Sequence, residues 1–68
     1  MDHRFTEMLQ LFDYEHLPPE LQEVSKPFSD LAHQVAERTA LRPAEAMTAL
    51  RKLLEAKDCA VRAVVPVR

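Results

Sequence analysis

Residues 19–36, PELQEVSKPFSDLAHQVA, decide the fold of this chain because their apolar side chains recur at the spacing of a helix. The intervals alternate between three and four residues, which predicts a coiled-coil-like seam along one face of an α-helix. The seam residues are Leu21, Val24, Phe28, Leu31 and Val35, joined by Ala32 and Ala36. Pro27 lacks an amide donor and crowds the carbonyl four residues earlier, so we expect a kink just before it or a restart of the helix at it.

A short helix is predicted before this segment, ending near Asp13. Its apolar side chains share one face at i, i+3, i+4 and i+7. They are Phe5, Met8, Leu9 and Phe12. The residues that follow form an elbow (residues 14–19), where Pro18 and Pro19 push the preceding backbone toward extended geometry and Pro19 suits the first position of the next helix.

A third helix is predicted from Pro43, again a favourable first helical residue, to Val64, with Pro66 ending it. Its apolar stripe consists of Met47, Leu50, Leu53, Leu54, Ala60, Val61 and Val64. The second and third helices would each have about 20 residues and a length of about 30 Å. Equal lengths and a short connection favour an antiparallel helical hairpin.

The composition agrees with a single all-α domain over residues 1–68. The chain has no glycine, which tight hairpin turns of small β folds usually require. A core this small rarely stabilises a fold by more than about 3–5 kcal/mol, so such domains often use disulfides, metals or oligomerisation. Cys59 is the one cysteine and has no internal partner, and no zinc-binding spacing occurs. With 47% apolar residues, the chain is therefore expected to assemble into a homo-oligomer.

Several function classes are disfavoured. A net charge of -2 does not suit a surface that binds DNA through its phosphates. No apolar stretch is long enough to cross a membrane, and the first residues do not have the pattern of a signal peptide, which predicts a cytoplasmic protein. No catalytic motif or phosphate-binding glycine loop is present, so we expect a protein that is not an enzyme and needs no cofactor. His3, His16 and His33 are too dispersed for a metal site, and Cys59 is expected to be a buried packing residue.

Ligand-binding candidates concentrate at the elbow. In an extended segment, Tyr14 and His16 would lie on the same side and offer a hydrogen-bonding wall to a planar base, or they would only close the end of the hairpin. Lys26 could direct its ammonium at a phosphate, or pair with Glu23. The guanidinium group of Arg62 matches phosphate oxygens, although Asp58 four residues earlier is an alternative partner.

Two stretches carry a family resemblance: FDYEHLPPELQEVSKPFSDLA at residues 12–32 and LRKLLEAKDCAVRA at residues 50–63. Together they resemble the small phage proteins that act as sponges for cyclic oligonucleotide signals and so evade the bacterial CBASS defence. The resemblance implies helical hairpins that assemble into hexamers in the cytoplasm of the host bacterium. It further implies pockets between protomers that sequester cyclic dinucleotides and, at separate positions, cyclic trinucleotides, without cleaving them.

Residue roles follow from the resemblance position by position. An elbow tyrosine that stacks on a nucleobase corresponds to Tyr14, with His16 as the alternative, and a lysine that engages a phosphate corresponds to Lys26. Arg62 would serve the second type of pocket. Another interpretation stays open, in which the chain is a structural or partner-binding helical oligomerisation module whose exposed seam docks a helix of another protein. A small DNA-binding regulator is a third, weakened by the acidic balance.

Overall fold

A computed structural model describes residues 3–65, which form three α-helices and no strand. The helices are α1 (His3–Gln10), α2 (Pro19–Arg38) and α3 (Pro43–Val64). The predicted all-α class and the short N-terminal helix are therefore confirmed, although α1 ends three residues before Asp13. Helix α3 has the predicted limits, while the prediction that Pro66 ends it concerns a residue outside those described.

The turn at residues 39–42 joins α2 to α3 and lets the two long helices pack against each other as a hairpin. The amide and the hydroxyl of Thr39 both donate to the carbonyl of Val35, at 3.0 and 2.6 Å, which satisfies an acceptor at the end of α2. Helix α3 begins at Pro43. Proline has no amide hydrogen, and at this position no helical hydrogen bond is lost, because the first amides of a helix have no acceptor within it. Within residues 3–65 no backbone φ is positive, so these turns have no need of glycine.

The hydrophobic core lies where α1 packs across both long helices. Phe5 and Leu9 from α1 are buried in it, and Phe12, just beyond the helix, is fully buried. The long helices contribute Ala32, Ala36, Ala46 and Leu50. The predicted apolar face of the N-terminal segment is thus confirmed, and it covers the core of its own chain.

The buried face of α2 matches the predicted seam only in part, since Ala32 and Ala36 are buried as predicted while larger members of the seam are not. Its buried residues are Ser25, Ser29, Ala32 and Ala36, whereas Leu31 is 46% exposed. The prediction was wrong for Leu31 because the buried stripe consists of small residues, which allow two helices to approach closely, while larger apolar residues such as Phe28 and Val35 are only half-buried beside it. Helix α2 is continuous through the exposed Pro27, so the expected restart there does not occur.

Candidate functional site

The α1–α2 loop (residues 11–18) carries the first two candidate residues. Its backbone turns twice: the amide of Phe12 donates to the carbonyl of Leu9 at 3.0 Å, and that of Leu17 donates to the carbonyl of Tyr14 at 3.0 Å. The second bond closes a turn over residues 14–17, so the expectation of an extended segment was wrong. Tyr14 is half-buried and His16 is exposed, because a turn does not place alternate side chains on one side as a strand does.

Two long side chains attach this loop to the hairpin. From α2, Nε2 of Gln22 donates to the carbonyls of Leu17 and Glu15, at 2.7 and 3.3 Å. From α3, Nζ of Lys57 donates to the carbonyl of Leu11 at 3.0 Å. The loop is therefore bonded to one long helix near each of its ends.

An open cavity of about 390 Å³ lies between the loop and the last turns of α3. The loop contributes Leu11, Asp13, His16 and Leu17 to it, and α3 contributes Lys57, Asp58, Val61 and Arg62. The cavity lining thus includes two basic side chains and one acidic side chain on α3, and an imidazole and a second acidic side chain on the loop. Nη2 of Arg62 lies 3.3 Å from Sγ of Cys59, and Nζ of Lys57 lies 3.5 Å from the carboxylate of Asp58.

Tyr14 and Lys26 belong to a neighbouring surface. Nζ of Lys26 donates to the carboxylate of Asp30 at 3.0 Å, so the expected pairing with Glu23 was wrong. This hydrogen bond and the negative charge of Asp30 raise the pKa of Lys26 above 10.5, and the electrostatic influence of Tyr14 adds to the rise. Lys26 is therefore a cation throughout the neutral range and is exposed to solvent.

The four candidate residues separate into two pairs. His16 and Arg62 line the same cavity, although the sequence reasoning assigned them to different pockets, and Tyr14 is not among the side chains that line it. Lys57 was missed because the sequence gives no sign that an ammonium will reach a backbone carbonyl 46 positions away.

Cys59 is exposed, so the expectation that it is a buried packing residue was wrong.

Other classes of site were sought in the described part of the chain. Among residues 3–65 no three His, Cys, Asp or Glu side chains form a group that could hold a metal ion. Over the same residues, no helix combines the length and apolar character needed to cross a membrane. Comparison of the chain with protein-family models, curated proteins and solved structures finds no significant match.

Proposed function

We propose that this chain belongs to the phage family of cyclic-oligonucleotide sponges and sequesters cyclic di- and trinucleotide signals without cleaving them. In the cytoplasm of an infected bacterium this capture would deprive a CBASS-type defence of its activator. The observation that supports the proposal best is the neighbourhood of Tyr14 and Lys26. The aromatic ring is half-buried in the α1–α2 loop, and the ammonium is exposed in the first half of α2.

The Tyr14 and Lys26 surface suits a cyclic dinucleotide. Every nucleobase presents a π-face, and stacking on an aromatic side chain contributes about 1–3 kcal/mol per base. The ammonium of Lys26 is an exposed point charge, and within residues 3–65 its ion pair is with Asp30, which is similarly exposed. An exposed ion pair is weak enough for a phosphate to replace the carboxylate. A base on Tyr14 would therefore bring a phosphate of the same ring toward Lys26.

The cavity beside the loop suits a second contact with nucleotide. Its volume of about 390 Å³ is within the range of small-molecule sites, which extends from about 300 to 1,000 Å³. Arg62 and His16 provide donors for phosphate oxygens, and the cavity is open on one side. In a hexamer a neighbouring protomer would close that side, so that a cyclic trinucleotide is held by several copies at once.

Capture of this kind relies on affinity and not on turnover. A few cations that converge from different subunits bind a di- or trianionic ring even when the protein as a whole carries a charge of -2. A rigid pocket adds to this affinity because little conformational entropy is lost when the ligand binds. None of the proposed contacts activates a nucleophile, so the ring leaves the protein chemically unchanged.

Release of the bound ligand tests the proposal. The purified protein is incubated with a cyclic dinucleotide, freed from excess ligand and heated, and the released nucleotide is identified by chromatography. We expect intact ring from the wild type, little from Tyr14→Ala or Lys26→Ala, and a wild-type amount from Lys52→Ala, which removes another exposed lysine. Linear products would indicate a nuclease, and the absence of any captured ring would refute the proposal.

A helical oligomerisation or partner-binding module is the second candidate function. The observation in its favour is that several large apolar side chains are exposed, among them Leu31 at 46% and Leu41 at 98%, and an assembly could cover them. Under this function, Leu31→Ser would impair association, while Tyr14→Ala and Lys26→Ala would leave it unchanged. Analytical ultracentrifugation of the three variants tests this association, and ligand release from the wild type separates the two candidates, because only the sponge function predicts captured cyclic nucleotide.

A further inference from the structure

The α1–α2 loop is attached to the hairpin by Lys57 and Gln22, and neither is a proposed contact of the cyclic dinucleotide. We propose that Lys57 is a positioning residue, which fixes this loop so that Tyr14 and His16 are already in place when a ligand arrives. The effect of Lys57 on ligand affinity rests on the proposed function. The effect of Lys57 on the order of the loop does not, because the loop is ordered by the protein's own hydrogen bonds without any ligand.

The environment of Lys57 differs from that of an ordinary surface lysine. Its side chain is only 12% exposed, compared with 57% for Lys26. Its ammonium donates to the carbonyl of Leu11 at 3.0 Å and lies 3.5 Å from the carboxylate of Asp58. The bond itself is exposed to solvent, but a hydrogen bond from a charged donor is stronger than one between neutral groups. The bond from Lys57 to Leu11 therefore restrains the start of the loop.

Gln22 restrains the other end. Its amide donates to the carbonyl of Leu17 at 2.7 Å in a partly buried position and to that of Glu15 at 3.3 Å. Tyr14 lies between the two attachments, in a chain segment that has no helix or strand to hold it. Ordering a loop during binding lowers affinity, and a loop ordered beforehand avoids that cost. The two attachments thus prepare the stacking residue for its ligand.

The chain contains a built-in reporter for this role. Tyr14 is the one tyrosine and there is no tryptophan, so tyrosine fluorescence anisotropy reports the order of the loop without any ligand. Lys57→Met keeps the aliphatic stem and a comparable helix propensity but removes the ammonium. Lys52→Met is the matched control, because it makes the same change at an exposed position of the same helix. Far-ultraviolet circular dichroism verifies that each variant is folded.

We expect Lys57→Met to lower the anisotropy of Tyr14 and to weaken cyclic dinucleotide binding about tenfold, as for the loss of a hydrogen bond to a charged group. Lys57→Arg keeps the charge and the donors, so it should restore much of the anisotropy and of the affinity. Lys52→Met should change neither quantity. If Lys57→Met does not fold, Gln22→Leu releases the opposite end of the loop and should lower both signals, with Gln34→Leu as its control.

The two proposals fail in different ways. Unchanged Tyr14 anisotropy in folded Lys57→Met would overturn the positioning role, whatever the ligand does. An affinity that stays at the wild-type value in a variant whose anisotropy has fallen would overturn it as well. A wild type that binds no cyclic nucleotide would refute the proposed function alone, and the anisotropy of the ligand-free protein would still decide whether Lys57 orders the loop.

Discussion

Replacing Leu50 by alanine should remove most of the stability of the isolated chain. Leu50 is fully buried and belongs to the same core as Ala32, Ala36 and Ala46. Truncating a buried leucine costs about 2–5 kcal/mol, and the cost is greatest where the surroundings cannot fill the gap. Since alanine methyl groups cannot extend into the space, we place the loss at about 3–5 kcal/mol. That is comparable to the whole stability expected for a core of this size.

Leu41→Ala is the matched control for this prediction. It removes the same atoms from a side chain that is 98% exposed in the turn between α2 and α3. We expect a change within about 0.5 kcal/mol, as for most surface substitutions. The free energy of unfolding is measured by urea titration, followed by circular dichroism, at the same chain concentration for each variant and again at a higher concentration.

If Leu50→Ala and Leu41→Ala lower the free energy of unfolding equally, the assignment of Leu50 to the core is refuted. A loss in Leu41→Ala that increases with chain concentration would instead show that an assembly covers Leu41. The comparison therefore tests the packing of one chain and the presence of a subunit contact at the turn.

The remaining predictions concern polar groups on α2. Ser25 is fully buried, and its hydroxyl has no hydrogen-bond partner within residues 3–65. Ser25→Ala should therefore leave the free energy of unfolding unchanged or raise it by up to about 1 kcal/mol in a urea titration, and a clear loss would mean that the hydroxyl is paired. Asp30→Asn should lower the pKa of Lys26 toward 10.5, which NMR of the lysine side chain measures. The same change should strengthen phosphate binding about two- to fivefold, because it removes the competing carboxylate. Glu23→Gln is the control and should change neither the pKa nor the binding. Because the folded-state pKa of Lys26 is raised, its ion pair is fully formed below 10.5 and is lost only as the pH rises through the raised value. Ligand binding through Lys26 should therefore be constant from about pH 7 to about pH 9, and a decline due to Lys26 within that window would contradict this interpretation.

Proline and periodicity were sufficient to predict the helices. Pro19 and Pro43 lie where the helices begin, because proline is favourable in a first turn, and the spacing of Phe5 and Leu9 identified the buried face of α1. Periodicity was less informative about α2. It identified Ala32 and Ala36 but not the buried Ser25 and Ser29, because serine is not counted as apolar and only packing against the other helices reveals that these positions are buried.

The candidate site was only partly predictable. The turn over residues 14–17 separates Tyr14 from His16, and a preference for extended geometry before Pro18 did not reveal it. The cavity that joins His16 to Arg62 exists because the loop folds back onto the end of α3. The bond from Lys57 to Leu11 connects a side chain to a backbone carbonyl, which every residue has, so the identity of residue 11 carries no signal for it.

Isothermal titration calorimetry against a panel of cyclic di- and trinucleotides tests the proposed capture most directly, since one experiment gives ligand identity, affinity and the number of sites per chain. We predict tight binding of at least one ring, with the dinucleotide heat lost in Tyr14→Ala and in Lys26→Ala. The absence of binding heat across the panel at several temperatures, from a folded protein, would contradict the proposal that this hairpin captures cyclic nucleotides.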